Sequence, residues 1–240
     1  MNKAFLAFFF AANVHAAPLL LVDDDGGMRY EEKYQQWCSD AHLPYVYWET
    51  KTQGTPSLET MIKYRTVFWF TGDRWNALED EEVKRIKEYL DERGGYRSLF
   101  LTGDRIAHDT RSGFNDQHNF LSWYLNAHYI KTEGDPRVGV NRKSEVWEWS
   151  FLPAIFHGYT ESGDYSFSLW NLADVVKPND GRHRAVMLHD KRSDNAYETY
   201  AVSNRKHFKT VFVTFDLAHE DSRYINEAEF IRTCVEWLQR

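Results

Sequence analysis

Acidic residues recur in this chain immediately behind apolar runs. PLLLV (18–22) ends in Asp23-Asp24-Asp25-Gly26-Gly27. FWFTGDRW and LFLTGDRI place Asp73-Arg74 and Asp104-Arg105 behind two more such runs, and TVFVTF (210–215) leads into Asp216, His219 and Glu220. Clustered carboxylate oxygens suit a hard cation such as Mg²⁺ or Ca²⁺, and either arginine could clamp an anion. The same residues have a structural use. A short acid behind a strand accepts bonds from the free N–H groups of the next turn or helix, and glycine permits the sharp bend. In the first reading Asp23, Asp24, Asp25, Asp73, Arg74, Asp104, Arg105, Asp216 and His219 form one candidate ligand or ion cleft; in the second each caps its own loop.

Nucleophilic chemistry has weaker support. Ser98 and Thr102 lack a Gly-x-Ser-x-Gly setting, and the ten histidines show no His-Glu-x-x-His spacing. No Gly-x-Gly-x-x-Gly or phosphate loop is present, so the sequence assigns no metal and no cofactor. Cys38 and Cys234 are two cysteines at opposite ends of the chain, and spacing leaves open whether they pair.

The elements that would position these residues follow from periodicity. Short apolar runs bounded by turn residues predict strands at 18–22, 44–48, 66–70 and 97–102, the first of them suited to burial on both faces. Between them, Tyr30, Tyr34, Trp37, Cys38 and Ala41 fall at helical spacing. Ser57 is placed to cap a brief helix, and Asn76-Ala77-Leu78-Glu79 has capping-box form ahead of Val83, Ile86 and Leu90. The two TGDR phrases, thirty-one residues apart (102 − 71), thus bracket a single βαβ unit. Residues 119–128 predict a helix, and 132–142 and 158–164 predict loops. Strands are expected at 184–188, 198–202 and 210–215, and an amphipathic helix over 221–240. Alternating strands and helices predict an α/β three-layer sandwich with a mostly parallel central sheet.

With 240 residues, 42% of them apolar, the chain can build one sizeable core. A formal charge of −7 with scattered Lys and Arg gives no footprint for nucleic acid or an anionic bilayer. MNKAFLAFFFAANVHAAP fits a secretory signal: a lone lysine, an apolar stretch, and Val14-His15-Ala16 as a small-residue cleavage site. The expected organisation is a signal peptide over 1–17 and one domain over 18–240, secreted or periplasmic, with no membrane span.

LLLVDDD, GTPSLETMIKYRTVFWFTGD, YLDERGGYRSLFLTGDRI, FLSWYLNAHYI and TVFVTFDLAHEDS followed by CVEWLQR together resemble the class I glutamine-amidotransferase-like domains of flavodoxin-like topology. The nearest in kind are the non-catalytic versions appended to secreted bacterial peptidases and surface proteins. The resemblance implies a catalytic Cys on a strained turn after a central strand, with His and an acid further on. Here the strand ending at Thr102 delivers Gly103-Asp104, and neither cysteine falls on that turn. The expectation is a non-catalytic binding or accessory module for an extracellular protein or glycan. The alternative is a hydrolase using Asp24, Asp73, Asp104 and His219, with or without a metal ion.

Overall fold

The computed structural model describes residues 19–110, 119–134, 136–159, 165–168, 172–219 and 223–240. The expected signal over residues 1–17 and Glu220 lie outside the described residues, as does most of the 158–164 loop.

Four strands are buried along their whole length: β1 (Leu19–Asp23), β3 (Thr66–Phe70), β4 (Ser98–Thr102) and β11 (Lys209–Val213). Their near-continuous apolar sequences suit strands covered on both faces. With the half-buried edge strand β2 (Tyr45–Glu49) they form a parallel sheet in the order β2-β1-β3-β4-β11. On one face Leu19, Leu21, Phe68, Phe70 and Phe100 pack against Tyr34 and Cys38 of α1 (Glu31–Asp40) and against Phe230, Cys234 and Leu238 of the C-terminal helix (Glu227–Gln239). Tyr34 stacks on Phe70 at 4.0 Å and Phe68 on Phe100 at 4.5 Å. On the other face Leu20, Val22, Trp69, Leu99 and Leu101 meet Val83, Ile86 and Leu90 of α4 (Asp80–Leu90). Strand alternation therefore feeds two cores separated by one sheet.

The sheet is mixed, and the expected mostly parallel arrangement does not hold. Beyond β11 every pairing is antiparallel: β10 (Thr199–Arg205), β9 (Val186–Asp190), β6 (Arg137–Val140) and β7 (Ser166–Ser168) continue the sheet. β8 (Leu172–Pro178) touches β10 and pairs along its length with β5 (Ala127–Gly134). The expected helix over 119–128 is one π-helical turn, Phe120–Tyr124; Asn126 turns left-handed at φ +58° and sends the chain into β5. Part of the expected loop at 132–142 is strand. Helix α4 starts at Asp80, not at the predicted Asn76 cap, because Glu79 donates its N–H to Glu82 Oε2 at 2.6 Å. The C-terminal helix starts at Glu227, where Asn226 accepts the Glu229 N–H. After the one-turn helix α2 (Thr50–Gln53), Ser57 caps α3 (Leu58–Met61) as expected. No helix among the described residues is long and apolar enough to cross a membrane.

The β3–β4 ladder runs on past both strand ends. Thr71 N–H donates to Thr102 O at 3.0 Å and Asp104 N–H to Gly72 O at 2.9 Å. This close approach fixes Gly103: its φ is +153°, and a Cβ there would lie 1.9 Å from Thr71 Oγ1. At Gly95 a Cβ would meet only the Arg97 side chain, at 3.7 Å or beyond. Gly103→Ala is accordingly expected to cost about 2–4 kcal/mol, from overpacking and backbone strain together, while Gly95→Ala stays within about 0.5 kcal/mol. Urea denaturation of the two variants provides the check; equal losses would contradict it.

Candidate functional site

The residues behind β1 are tied into the fold one by one. Asp25 Oδ1 accepts the N–H groups of Gly27 (2.6 Å) and Met28 (3.0 Å), and its Oδ2 accepts that of Tyr30 (3.0 Å), so this carboxylate folds its own loop. Asp23 accepts the Asp25 N–H at 3.2 Å and the Tyr47 hydroxyl at 2.5 Å; burial pushes its carboxyl up to about 6. Asp23, Asp25 and Glu31 bring carboxylate oxygens within 4.8 Å of one another, but the first two are occupied by these turn bonds. Asp24 is fully buried. It receives Arg74 Nη1 (2.5 Å), the Thr50 hydroxyl (2.8 Å) and Trp69 Nε1 (3.0 Å), and Arg74 also reaches Glu82 at 3.1 Å. Burial and the Glu82 charge push the Asp24 carboxyl up; Arg74 opposes them. Arg74 and Asp24 therefore form a structural ion pair, withdrawn from any ligand.

A different set converges behind β3, β4 and β11. Asp104 is buried, and its Oδ1 accepts the Asp216 N–H at 2.7 Å. Asp216 Oδ1 in turn accepts the Tyr34 hydroxyl (2.5 Å) and the Ala218 N–H (3.1 Å). The half-buried Tyr30 bonds Asp73 through its hydroxyl, and its phenol is held well above the ordinary range by burial and by the charges of Asp73, Asp216 and Asp104. Burial foremost, then Asp216, Asp73 and Asp174, raise Asp104 to about 8. Asp73, Asp104 and Asp216 thus share one electrostatic environment, with Tyr30 and Asp73 its solvent-facing side. His219 closes a 3₁₀ turn, Leu217–His219, and its side chain lies outside the described residues.

The turn after β4 has the geometry of a nucleophile elbow. Strand gives way to helix α5 (Ile106–Thr110) within three residues, and Arg105, directly before that helix, is left-handed at φ +62°. The elbow residue is Arg105 rather than Asp104. Its guanidinium lies 4.0 Å from the ring centroid of Trp75, which is 75% exposed, and 3.4 Å from Asp109. Both cysteines are free, buried and remote from this turn, in α1 and the C-terminal helix; burial pushes the Cys38 thiol up to about 12.

Sequence patterns missed several neighbours. Asp174, on β8, lies fully buried between the Thr132 hydroxyl (2.6 Å) and the His108 N–H (2.8 Å). His108 Nδ1 is 2.7 Å from Asp109 Oδ1, which orients the ring. Only the His108-Asp109 adjacency was visible in the sequence; Tyr30, Tyr34 and Asp174 arrive from other elements.

No protein-family model matches the chain, and no curated protein matches it. Solved structures do. A protein described as ThuA-like from Bacteroides uniformis superposes with a TM-score of 0.55 at 13% identity, over 95% of each chain. A protein from Thermoplasma acidophilum, described as one of the subunits of GMP synthase, gives a TM-score of 0.57 at 9% identity, over 94% of this chain and 96% of that one. A glutamine amidotransferase from Methylobacillus flagellatus superposes at 0.46 and 9% identity, over 93% and 96%. At these identities the likeness to the first two is one of fold, and it agrees with an α/β fold of the kind those two structures have.

The two TGDR arginines differ in a measurable way. Arg74→Gln leaves Asp24 and Glu82 buried without their cation and is expected to cost about 3–5 kcal/mol, whereas Arg105→Gln, losing a half-exposed cation–π contact, costs about 1 kcal/mol or less. Asp104 carries a pH signature. A folded-state value near 8 against an ordinary 3.8 means that its stabilising effect is complete below about pH 4 and is lost as pH rises through about 8. Wild-type melting temperature should therefore fall from pH 5 to pH 8 more steeply than that of Asp104→Asn; parallel curves would show that Asp104 ionises normally.

Proposed function

We propose that the chain is a non-catalytic binding or accessory module on an amidotransferase-like scaffold, exported to act on an extracellular protein or glycan. One observation carries the reading: the elbow after β4 presents Arg105, held over Trp75 and beside Asp109, where an active relative would present a thiol. A guanidinium cannot serve as the nucleophile of acyl transfer. The cysteine thiols are buried in helices with their acidity suppressed. Export rests on the signal-like residues 1–17. The resemblance to the versions appended to secreted peptidases and surface proteins supports the accessory role.

A second reading has its own support. Asp104, buried beside Asp73 and Asp216 and raised to about 8, keeps its proton at neutral pH as a general acid of acid–base hydrolysis must. Asp24, engaged by Arg74, Thr50 and Trp69, takes no part in it.

The purified mature chain, screened against peptide, amide, ester and glycoside substrates, is expected to show no turnover above background. Turnover that falls about a hundredfold or more in Asp104→Asn, the range of a lost general acid, would replace the binding reading with the hydrolase.

A further inference from the structure

Away from the carboxylate cleft, Asn141 closes β6 and fastens two segments together. Its Nδ2 donates to His183 O (2.9 Å) and Val186 O (2.8 Å), its Oδ1 accepts the Lys143 N–H (3.1 Å), and its own N–H donates to Met187 O (3.0 Å). Asn141 is itself buried, so this one amide fixes the turn at 141–144 against the stretch at 183–187. A cavity of about 660 Å³ opens there, lined by Arg142, Lys143, Ser144, Glu148, His183 and Arg184. A second, of about 250 Å³, shares Arg142, Lys143 and His183 and adds His189.

Among the described residues, three permanent cations thus line the cleft beside one carboxylate, in a chain whose formal charge is −7. Glu148 lies 3.4 Å from Arg184, but both are more than half exposed, and such a pair is held weakly in water. The next acid, Glu145, is engaged by the Ser203 hydroxyl at 2.8 Å and faces Arg182 at 3.9 Å. The described lining therefore carries a net positive charge. Beyond Glu148 the chain carries Trp149 and Phe151, 76% and 71% exposed.

We infer that this cleft binds a sugar-sized oxyanion, a saccharide bearing carboxylate, sulfate or phosphate groups. The volume falls within the range of small-ligand sites, about 300–1,000 Å³. The charged lining suits an anion and not an apolar ligand, and guanidinium forks match carboxylate, sulfate and phosphate geometry. Trp149, which follows the lining residue Glu148 in the chain, exposes an indole of the kind on which a sugar ring rests. A long nucleic acid would meet the negative field of the rest of the molecule, which favours a short ligand. The cleft uses none of the residues behind β3, β4 and β11, so it stands or falls apart from the reading of that site.

Calorimetric titration of the whole chain tests it, with a sulfated, uronate-containing disaccharide, glucose 6-phosphate, maltose, inorganic phosphate and a ten-nucleotide single-stranded DNA as probes. One of the two anionic sugars is expected to saturate the protein and to bind more tightly than inorganic phosphate, while maltose does not bind; which sugar does so tells sulfate and carboxylate from phosphate. Affinity should fall about tenfold in Lys143→Gln and in Arg184→Gln, and by a similar factor between about 0.05 and 0.5 M NaCl, where the screening length shrinks severalfold. Lys63→Gln, at an exposed lysine outside the lining of the cleft, should bind as wild type does. Both lysine and arginine variants alter exposed side chains, and unchanged melting temperatures would establish that they fold. No saturable sugar binding, equal binding of maltose or of bare phosphate, tighter binding of the oligonucleotide, or indifference to both substitutions would each overturn the inference.

Discussion

Burying carboxylates at the carboxyl ends of strands is the constraint around which this edge of the protein is built. Asp24 and Asp216 are fully buried and Asp104 is 4% exposed, and Asp174, inside β8, is fully buried beside them. Each would cost several kcal/mol to desolvate as an ion, so each must either be given donors or hold its proton. The donors come from distant parts of the chain. Asp24 gathers Thr50, Trp69 and Arg74; Asp174 gathers Thr132 and His108; Asp216 gathers Tyr34 and Ala218, and its own N–H serves Asp104. Loops that would otherwise only connect strands to helices are thereby fastened to one another. The acids behave less as a ligand set than as the rivets of the sheet's carboxyl edge, and solvent reaches the cluster at Asp73 and Tyr30.

The two TGDR phrases show how little a repeated sequence says about environment. Thr102 donates its hydroxyl to Phe215 O at 2.7 Å, while the buried Thr71 hydroxyl has no hydrogen-bond partner among the described residues. Gly72 is left-handed at φ +60° against the Tyr30 ring, whereas Gly103 yields space to Thr71 itself. The first arginine turns inward to two carboxylates and the second outward to an exposed indole. These differences follow from position: β3 lies between β1 and β4, and β4 between β3 and β11. The copies share a local need, a tight exit from a buried parallel strand, and nothing beyond it.

The parallel half of the fold was legible because all its strands but the edge strand β2 are buried on both faces and so carry continuous apolar runs. The antiparallel half was not. β5 is half-exposed along much of its length, and its polar stretch, His128 and Lys131 to Glu133 among it, looks like loop until β8 is placed beside it. The π-helical turn at Phe120–Tyr124 has helical periodicity and stops because of a left-handed asparagine, which sequence alone does not forecast. The strand-end acids could be named from their runs, but not their distant partners: the long-range bonds that hold them span 24 to 182 residues. Asp24 and Asp25 look alike in the sequence. One is a buried ion-pair partner and the other a turn former, and only tertiary contacts separate them.

The elbow after β4 bears on what a strained turn means in this fold. A non-glycine residue in the left-handed region costs about 1–2 kcal/mol, and such strain persists only where its surroundings impose it. At Arg105 the surroundings are identifiable without reference to catalysis. Asp174 grips the His108 N–H, Asp109 accepts the Ala77 N–H at 3.3 Å, and the Thr110 hydroxyl donates back to Ile106 O at 2.6 Å, so α5 is anchored close behind β4. Asp104, on the other side, is anchored to the Asp216 N–H. With both flanks fixed, the chain passes from strand to helix through a residue of positive φ. The elbow is therefore a consequence of the buried-carboxylate framework, and its presence is compatible with either a reacting thiol or a guanidinium. The side chain carried there, and not the strain, decides whether the scaffold can perform nucleophilic chemistry.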